Sequence, residues 1–177
     1  MMKIVSLSVF LLFSFCSIGQ VVAQKTFGTR NGQIIFQSPS DEDVKAINNE
    51  VSSRLLDDGT LTFSLLIKGF KFKMAEMQDH FNTQYLQSTQ FPRADFKGNI
   101  TNIKSVNFAK DGSYPVQVSG NLTLHGVTQK VSASGTIVIT KGKPLAKANF
   151  PILIKDFGVN APDVTEKVTI AVNCQYQ

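Results

Sequence analysis

From Arg93 to the C-terminus, apolar and polar residues change places with a period of two, and that alternation constrains the fold more than any other feature of the chain. Ala94, Phe96, Gly98 and Ile100 alternate with Asp95, Lys97 and Asn99. Val116, Val118, Gly120, Leu122 and Leu124 share one parity, as do Val131, Ala133, Gly135, Ile137 and Ile139. The last run sets Val168, Ile170, Val172, Cys174 and Tyr176 on one side and Thr169, Ala171, Asn173 and Gln175 on the other. A strand sends successive side chains to opposite faces, so this pattern gives each strand one apolar and one wet face. Earlier, Ile34, Phe36 and Ser38 share a face, a strand is expected near 46–56, and Leu61, Phe63, Leu65 and Ile67 repeat at period two. "DDGT" at 57–60, "KDGS" at 110–113, "HGV" at 125–127 and "KGKP" at 141–144 mark turns, and "NGQ" at 31–33 is expected to turn between two short strands. One-sided strands joined by short turns form antiparallel sheets. A two-sheet sandwich and a closed barrel both fit the alternation. The shortage of long crossovers favours an all-β, antiparallel up-and-down barrel of about eight strands.

One stretch breaks the pattern. In "MQDHFNTQYLQSTQFPRADFKG", residues 77–98, the apolar spacing changes. Met74, Met77, Phe81 and Tyr85 fall at i, i+3, i+7 and i+11, which predicts one short helix near residues 73–86. Pro92 biases Phe91 toward an extended backbone and ends the helical stretch. A helix this short is marginal alone, so it must pack on something. The open surface of a barrel is its end, and the helix is expected to cover one, with Met and Phe toward the interior. The stripe either completes the core or lines a binding site; its spacing leaves both open.

The first 23 residues belong to a different problem. Lys3, an apolar run over 4–18 and "GQVVAQ", with Val21 and Ala23 at −3 and −1, predict a secretory signal peptide cut after Ala23. The run is short for a spanning helix and is interrupted by Ser6, Ser8 and Ser14. Phe13 and Phe15 crowd Cys16, which argues against a lipoprotein anchor. A single domain is expected over 24–177, in a periplasmic or secreted protein. Loss of Lys3 lowers the formal charge of +5 by one. The remaining basic residues are scattered except for Lys68, Lys71 and Lys73, so no nucleic-acid surface is indicated. Those three lysines suit a transient contact with an anionic membrane surface, or a solvated edge that resists strand pairing. Cys174 is the one cysteine after residue 23 and is expected to face inward, so the core must stabilise the chain without an internal disulfide.

The inward faces carry Phe, Leu, Ile and Val. A barrel of about eight strands either fills with its own side chains or holds one small ligand. The candidate lining is Phe36, Phe63, Leu65 and Ile67 from the first half and Met77 and Phe81 from the helix. The later strands add Phe96, Ile100, Val118 and Leu122, then Phe150, Ile152, Ile170 and Val172. Ten buried tail carbons contribute roughly 8 kcal/mol before ordering costs. His80, on the helix, and Asp156, in "KDFGV", are candidates for meeting a polar head group. The two histidines lie in different elements without ligand spacing, so no metal is expected. His125 precedes Gly126 in a tight turn, where local hydrogen bonding is its expected use. There is no Gly-x-Ser-x-Gly elbow, and "DFG" lacks the other kinase elements, so no catalytic residue and no cofactor are indicated.

Three segments carry a resemblance. "HFNTQYLQSTQFPRADFKG" at 80–98, "GNLTLHGVTQKV" at 120–131 and "FPILIKDFGV" at 150–159 are similar to the signatures of the YceI-like family, small bacterial envelope proteins. The resemblance spans about Thr26 to Tyr176 and departs from the family pattern at Tyr85–Ser88 and at Ser53. It implies a lipocalin-like barrel that binds, without catalysis, a long polyisoprenoid, an isoprenoid quinone or a fatty amide or acid, and carries or sequesters it. Two other readings stay open: an isoprenoid-modifying enzyme using Asp156 or His125, and an envelope interaction protein whose barrel is a filled scaffold. The expected partner is a hydrophobic small molecule, and a homodimer is also open.

Overall fold

The computed structural model describes residues 24–39, 44–161 and 166–177. The signal peptide expected at 1–23 and most of the polar segment 39–43 lie outside the described residues. Eight long strands dominate: β1 Thr26–Gln37, β2 Lys45–Leu56, β3 Thr60–Leu66, β5 Arg93–Ile100, β6 Gly112–Leu124, β7 Val127–Thr140, β8 Lys143–Leu153 and β9 Lys167–Gln175. A two-residue strand, β4 Lys71–Phe72, lies along the start of β2. Hydrogen-bonded order runs β1-β9-β8-β7-β6-β5-β3-β2, and β2 pairs with β1 to close the ring. Every pairing is antiparallel. The architecture is therefore the closed eight-strand barrel and not the sandwich.

The hairpins follow from turn chemistry. His125 and Gly126 sit at φ 50° and 75°, and Lys141 and Gly142 at φ 51° and 72°. Two consecutive positive-φ residues match the right-handed twist of the flanking strands, so β6–β7 and β7–β8 connect tightly. The "NGQ" segment corrects the expectation of a turn. β1 runs through it unbroken, with register shifts against β2 on both sides of Gly32. A Cβ on Gly32 would lie 2.4 Å from Cys174 Sγ and 3.2 Å from the Val51 carbonyl. Glycine here allows close backbone approach at a bulge, which bends the strand without reversing it. The β5–β6 link is also longer than "KDGS" suggested: it occupies 101–111 and includes a 3₁₀ turn at Ile103–Ser105.

The helix forms within its expected range. The α-helix α1, Ala75–His80, continues as a π-helical turn, Phe81–Tyr85. It sits between β4 and β5, at the end of the barrel where β1 and β3 finish. Only part of the expected stripe faces inward: Phe81 is buried, Met77 and Tyr85 are half-buried, and Met74 is exposed.

The core divides into two clusters along the barrel axis. At the helix end, Val51, Ile67, Phe70, Phe81, Leu86, Ile154, Phe157 and Val168 pack together. At the far end, Leu55, Leu61, Ile100, Ile137, Ile139, Cys174 and Tyr176 do so. Partly buried Phe63 touches both clusters.

Candidate functional site

Between the two clusters lies a cavity of about 170 Å³. Its origin is visible strand by strand. Along β9, Val168 is buried, Ile170 and Val172 are half-buried, and Cys174 and Tyr176 are buried again. Along β7, Ile137 and Ile139 are buried while Val131, Ala133 and Gly135 are not. Apolar side chains on the inner face thus keep uncovered surface only where the lumen is.

Small residues create that space. Ala133, Gly135, Ala146 and Ala148 line the cavity on β7 and β8, opposite Ile34, Phe36 and Phe63. Gly98 and Gly120 face each other across β5 and β6, where a Cβ on either would come within 2.5–2.6 Å of the neighbouring backbone and of Phe96 Cζ. The Phe96 ring therefore lies over backbone that no side chain covers. Its centroid is 6.2 Å from that of Phe63.

Among the lining residues, Asp95, Thr136 and Lys147 carry polar side chains, and each occupies an outward-parity position next to inward neighbours. Asp95 is held outside by Ser64 and by Arg93, 3.8 Å away. The lumen offers a guest dispersion and desolvation, with no charged partner inside.

Of the residues nominated for the interior, all line the cavity except Met77: Phe36, Phe63, Leu65 and Ile67, then Phe81, Phe96 and Ile100, then Val118, Leu122, Phe150, Ile152, Ile170 and Val172. His80 and Asp156 are at the helix end but outside the lining. His80 is half-buried on α1, and Asp156 is exposed in the 3₁₀ turn Ile154–Phe157, where its main-chain carbonyl accepts from Gln129 Nε2 at 2.8 Å. Residues that the spacing rules passed over also line the space, chiefly Phe70 and Leu86, along with the small residues. Glycine and alanine at inward positions were the available signal.

The two ends close differently. At the far end the phenol of Tyr176, with no exposed surface, lies 2.7 Å from Ser53 Oγ, which donates to the Thr62 carbonyl at 2.8 Å. Ser53 spends its one proton on Thr62, so Tyr176 donates to Ser53 and the chain of bonds is complete. Burial pushes the Tyr176 phenol upward, partly offset by Ser53. Burial also pushes the Cys174 thiol up to about 11. Phe27 stacks on Phe108 from the β5–β6 link at 5.2 Å.

At the helix end Phe81 contacts Phe72 at 4.9 Å, Phe70 at 5.6 Å and Phe36 at 5.9 Å. Three loops meet beside it. His125 packs its ring on Phe91 at 4.6 Å, and its Nδ1 donates to the Phe157 carbonyl at 3.2 Å. His125 therefore ties one loop to another 32 residues away, beyond the local bonding its turn position suggested. No group of three His, Cys, Asp or Glu side chains comes together for a metal ion among the described residues.

Comparison with known proteins agrees with this geometry. A family model described as the YceI-like domain matches residues 13–176. A polyisoprenoid binding domain from Saccharophagus degradans implicated in plant cell wall breakdown is 12% identical, with TM-score 0.73 over 86% of this chain and 97% of its own. BcnA of Burkholderia cenocepacia is 14% identical, with TM-score 0.63 over 82% and 96%. The YCEI protein of Campylobacter jejuni is 13% identical, with TM-score 0.53 over 98% and 97%. At such identities the likeness is one of fold. No curated protein matches the chain.

Proposed function

The chain belongs to the YceI-like domain family, and on that premise we propose that it binds the tail of a long-chain amphiphile inside the barrel and carries or sequesters it in the bacterial envelope. The guest class is a polyisoprenoid, an isoprenoid quinone or a fatty amide or acid. The observation that supports this reading is the cavity, with its apolar inner surface and its outward-turned polar neighbours. The Saccharophagus degradans domain is described as polyisoprenoid binding, which favours the same class here.

Magnitudes refine the proposal. An apolar cavity of roughly 150 Å³ holds one benzene, so about 170 Å³ takes a short stretch of tail. Five buried carbons contribute roughly 4 kcal/mol, and micromolar binding needs about 8 kcal/mol. A useful carrier must therefore widen its lumen. The side chains best placed to move are Phe96 over the glycines, Phe63 beside it and Phe81 at the helix end. Phe63 and Phe96 are half-buried and Phe81 is carried on the helical segment, so none of these rings has to break a strand ladder to turn.

The head group is assigned to the helix end, where His80, Asp156 and the exposed Lys68 and Lys71 provide polar surroundings and a means of meeting an anionic membrane. Location in the periplasm or outside the cell follows from the leader expected at 1–23. Native mass spectrometry of protein purified from its own host tests the reading. The expected result is a retained apolar mass that solvent extraction removes. Protein that is consistently empty and takes up no amphiphile refutes it.

A further inference from the structure

We propose that the outer wall of the barrel carries a second binding site, a basic groove over β1, β2, β3 and β5 built around Arg30, Arg54 and Lys97. Its ligand class is an acidic polysaccharide, a chain of sugars bearing sulfate, phosphate or carboxylate groups. The site is separate from the lumen and does not depend on the amphiphile reading above.

A groove of about 790 Å³ lies open to solvent on this wall. Cross-strand register places its cations. Gly28, Arg54, Thr62 and Lys97 form one row across β1, β2, β3 and β5, and the row runs on through Asn121 of β6 to Lys130 of β7. All of these residues have the outward parity, opposite to Leu55, Leu61, Phe96 and Leu122. A Cβ on Gly28 would meet nothing within 4 Å, so the β1 end of the row is open. Gln177 borders it there, its N–H donating to the Gly28 carbonyl at 3.0 Å. Arg30 and Asn31 lie where β1 slips register against β2, between Thr29 and Gly32. Such an irregularity leaves residues out of the ladder and re-aims their side chains. Both residues line the groove.

The chemistry of the groove follows from what its cations lack. Among the described residues, the side chains of Arg30, Arg54 and Lys97 make no hydrogen bond or ion pair with the protein. The one acidic side chain in the lining, Asp95, is already held by Ser64 and Arg93. The counter-charge has to come from outside. Arginine forks match the oxygens of sulfate, phosphate and carboxylate. Asn31, Ser52 and Thr62 set an amide and hydroxyls beside the cations, which suits sugar hydroxyls. Spacing selects a polymer over a single ion. Neighbouring strands are about 4.8 Å apart, so Arg54 and Lys97, two strands apart, stand about 10 Å from each other, as do Lys97 and Lys130. One small oxyanion spans neither interval, whereas charges repeated along a sugar chain do. The row offers no large apolar side chain, so a lipid tail gains nothing on it. A chain held here anchors the barrel by its side and leaves the helix end free.

The test uses four probes: dextran sulfate, neutral dextran, inorganic sulfate and vesicles of phosphatidylglycerol. At physiological salt the full folded protein is expected to bind dextran sulfate and to ignore dextran. Inorganic sulfate should compete only at a far higher concentration of sulfate groups, since each ion meets one cation at a time. Arg54→Gln combined with Lys97→Gln should weaken dextran sulfate binding by about tenfold or more. Lys104→Gln combined with Lys141→Gln removes the same charge from exposed positions outside the groove, and should change binding by less than about twofold. In the unmodified protein the guanidinium resonances of Arg30 and Arg54 should move with dextran sulfate and stay still with dextran, a readout that needs no variant to fold. Equal losses in the two double variants would mean that net charge alone holds the polymer, and would overturn the site. So would still arginine resonances, or inorganic sulfate that competes group for group. Vesicles bound more tightly than dextran sulfate through Arg54 and Lys97 would assign the wall to lipid and overturn the saccharide class. Each of these results leaves the reading of the lumen standing.

Discussion

The two ends of this barrel are built from similar apolar residues yet finished in opposite ways. The far end is closed by main-chain-anchored pieces. Tyr176 is fixed by Ser53, its backbone N–H donates to the Pro144 carbonyl at 2.9 Å, and the β5–β6 link folds Phe108 onto Phe27. The helix end is closed by side chains on loops: a π-helical turn bearing Phe81, a 3₁₀ turn bearing Phe157, and a histidine between them. π-helical turns are rare and cluster where proteins function. The buried polar atoms of Tyr176 and Ser53 at the far end pair off, whereas three at the helix end, Asn82 Oδ1, Ser88 Oγ and His125 Nε2, have no protein partner among the described residues. On the proposed function, the difference separates stability from access: one end holds the cylinder shut, and the other is the expected place for a guest to enter.

That contrast can be broken by substitution. Leu55→Ala removes a fully buried far-end side chain outside the cavity lining, and should cost about 2–5 kcal/mol in urea unfolding. Amphiphile affinity of the folded protein should not change; a parallel loss of binding would deny the division of labour. Ala148→Phe fills the lumen from the wall that keeps it open. It should abolish amphiphile uptake for roughly 1–3 kcal/mol of stability. Uptake that survives would place the guest elsewhere. Phe81→Leu loosens the helix-end cluster at a cost of roughly 1–2 kcal/mol and should speed guest exchange several-fold in stopped-flow release. Unchanged exchange would remove Phe81 from the entry route.

The smallest effect concerns pH. Burial raises Cys174 to about 11 and raises Tyr176 as well, so the folded far end keeps protons that the unfolded chain releases. That stabilisation is complete below the ordinary thiol value near 9 and is lost as pH climbs through about 11. The unfolding free energy from urea titration should hold to about pH 9 and then fall by on the order of 1 kcal/mol per pH unit, less steeply in Cys174→Ala. A flat profile to pH 11 would mean that the far end is wetter than its burial indicates.

Much of the scaffold was legible because period-two alternation has a single physical source, the pleat of a strand packed on one side. The ladders of β5 to β9 and the inward parity of Val118, Ile152 and Ile170 follow from it directly. Three things did not. Asn31–Gly32 has the chemistry of a turn, yet Gly32 serves close approach to Cys174, a tertiary demand that local composition does not carry. β4 is two residues long and exists only because β2 offers it an edge. Hollowness is the third: a filled and an empty barrel share the same alternation, and the distinction lies in where glycine and alanine fall among the inward positions, at Gly98, Gly120, Ala133 and Ala148. The head-group candidates were chosen by charge, which led to His80 and Asp156. The unpaired atoms of Asn82, Ser88 and His125 depend on how three loops meet, and no spacing rule sees that.

Xenon tests the hollow most directly, because it needs no knowledge of the guest. Apolar cavities of this size take up xenon without rearrangement. With the protein under xenon pressure, the account predicts one saturable site, with shifts confined to methyl resonances of the cavity lining, among them Ala133, Ala148, Ile170 and Val172. Methyl resonances that stay still at saturating pressure, in protein shown to be folded, would mean a barrel packed solid and would contradict the account at its base.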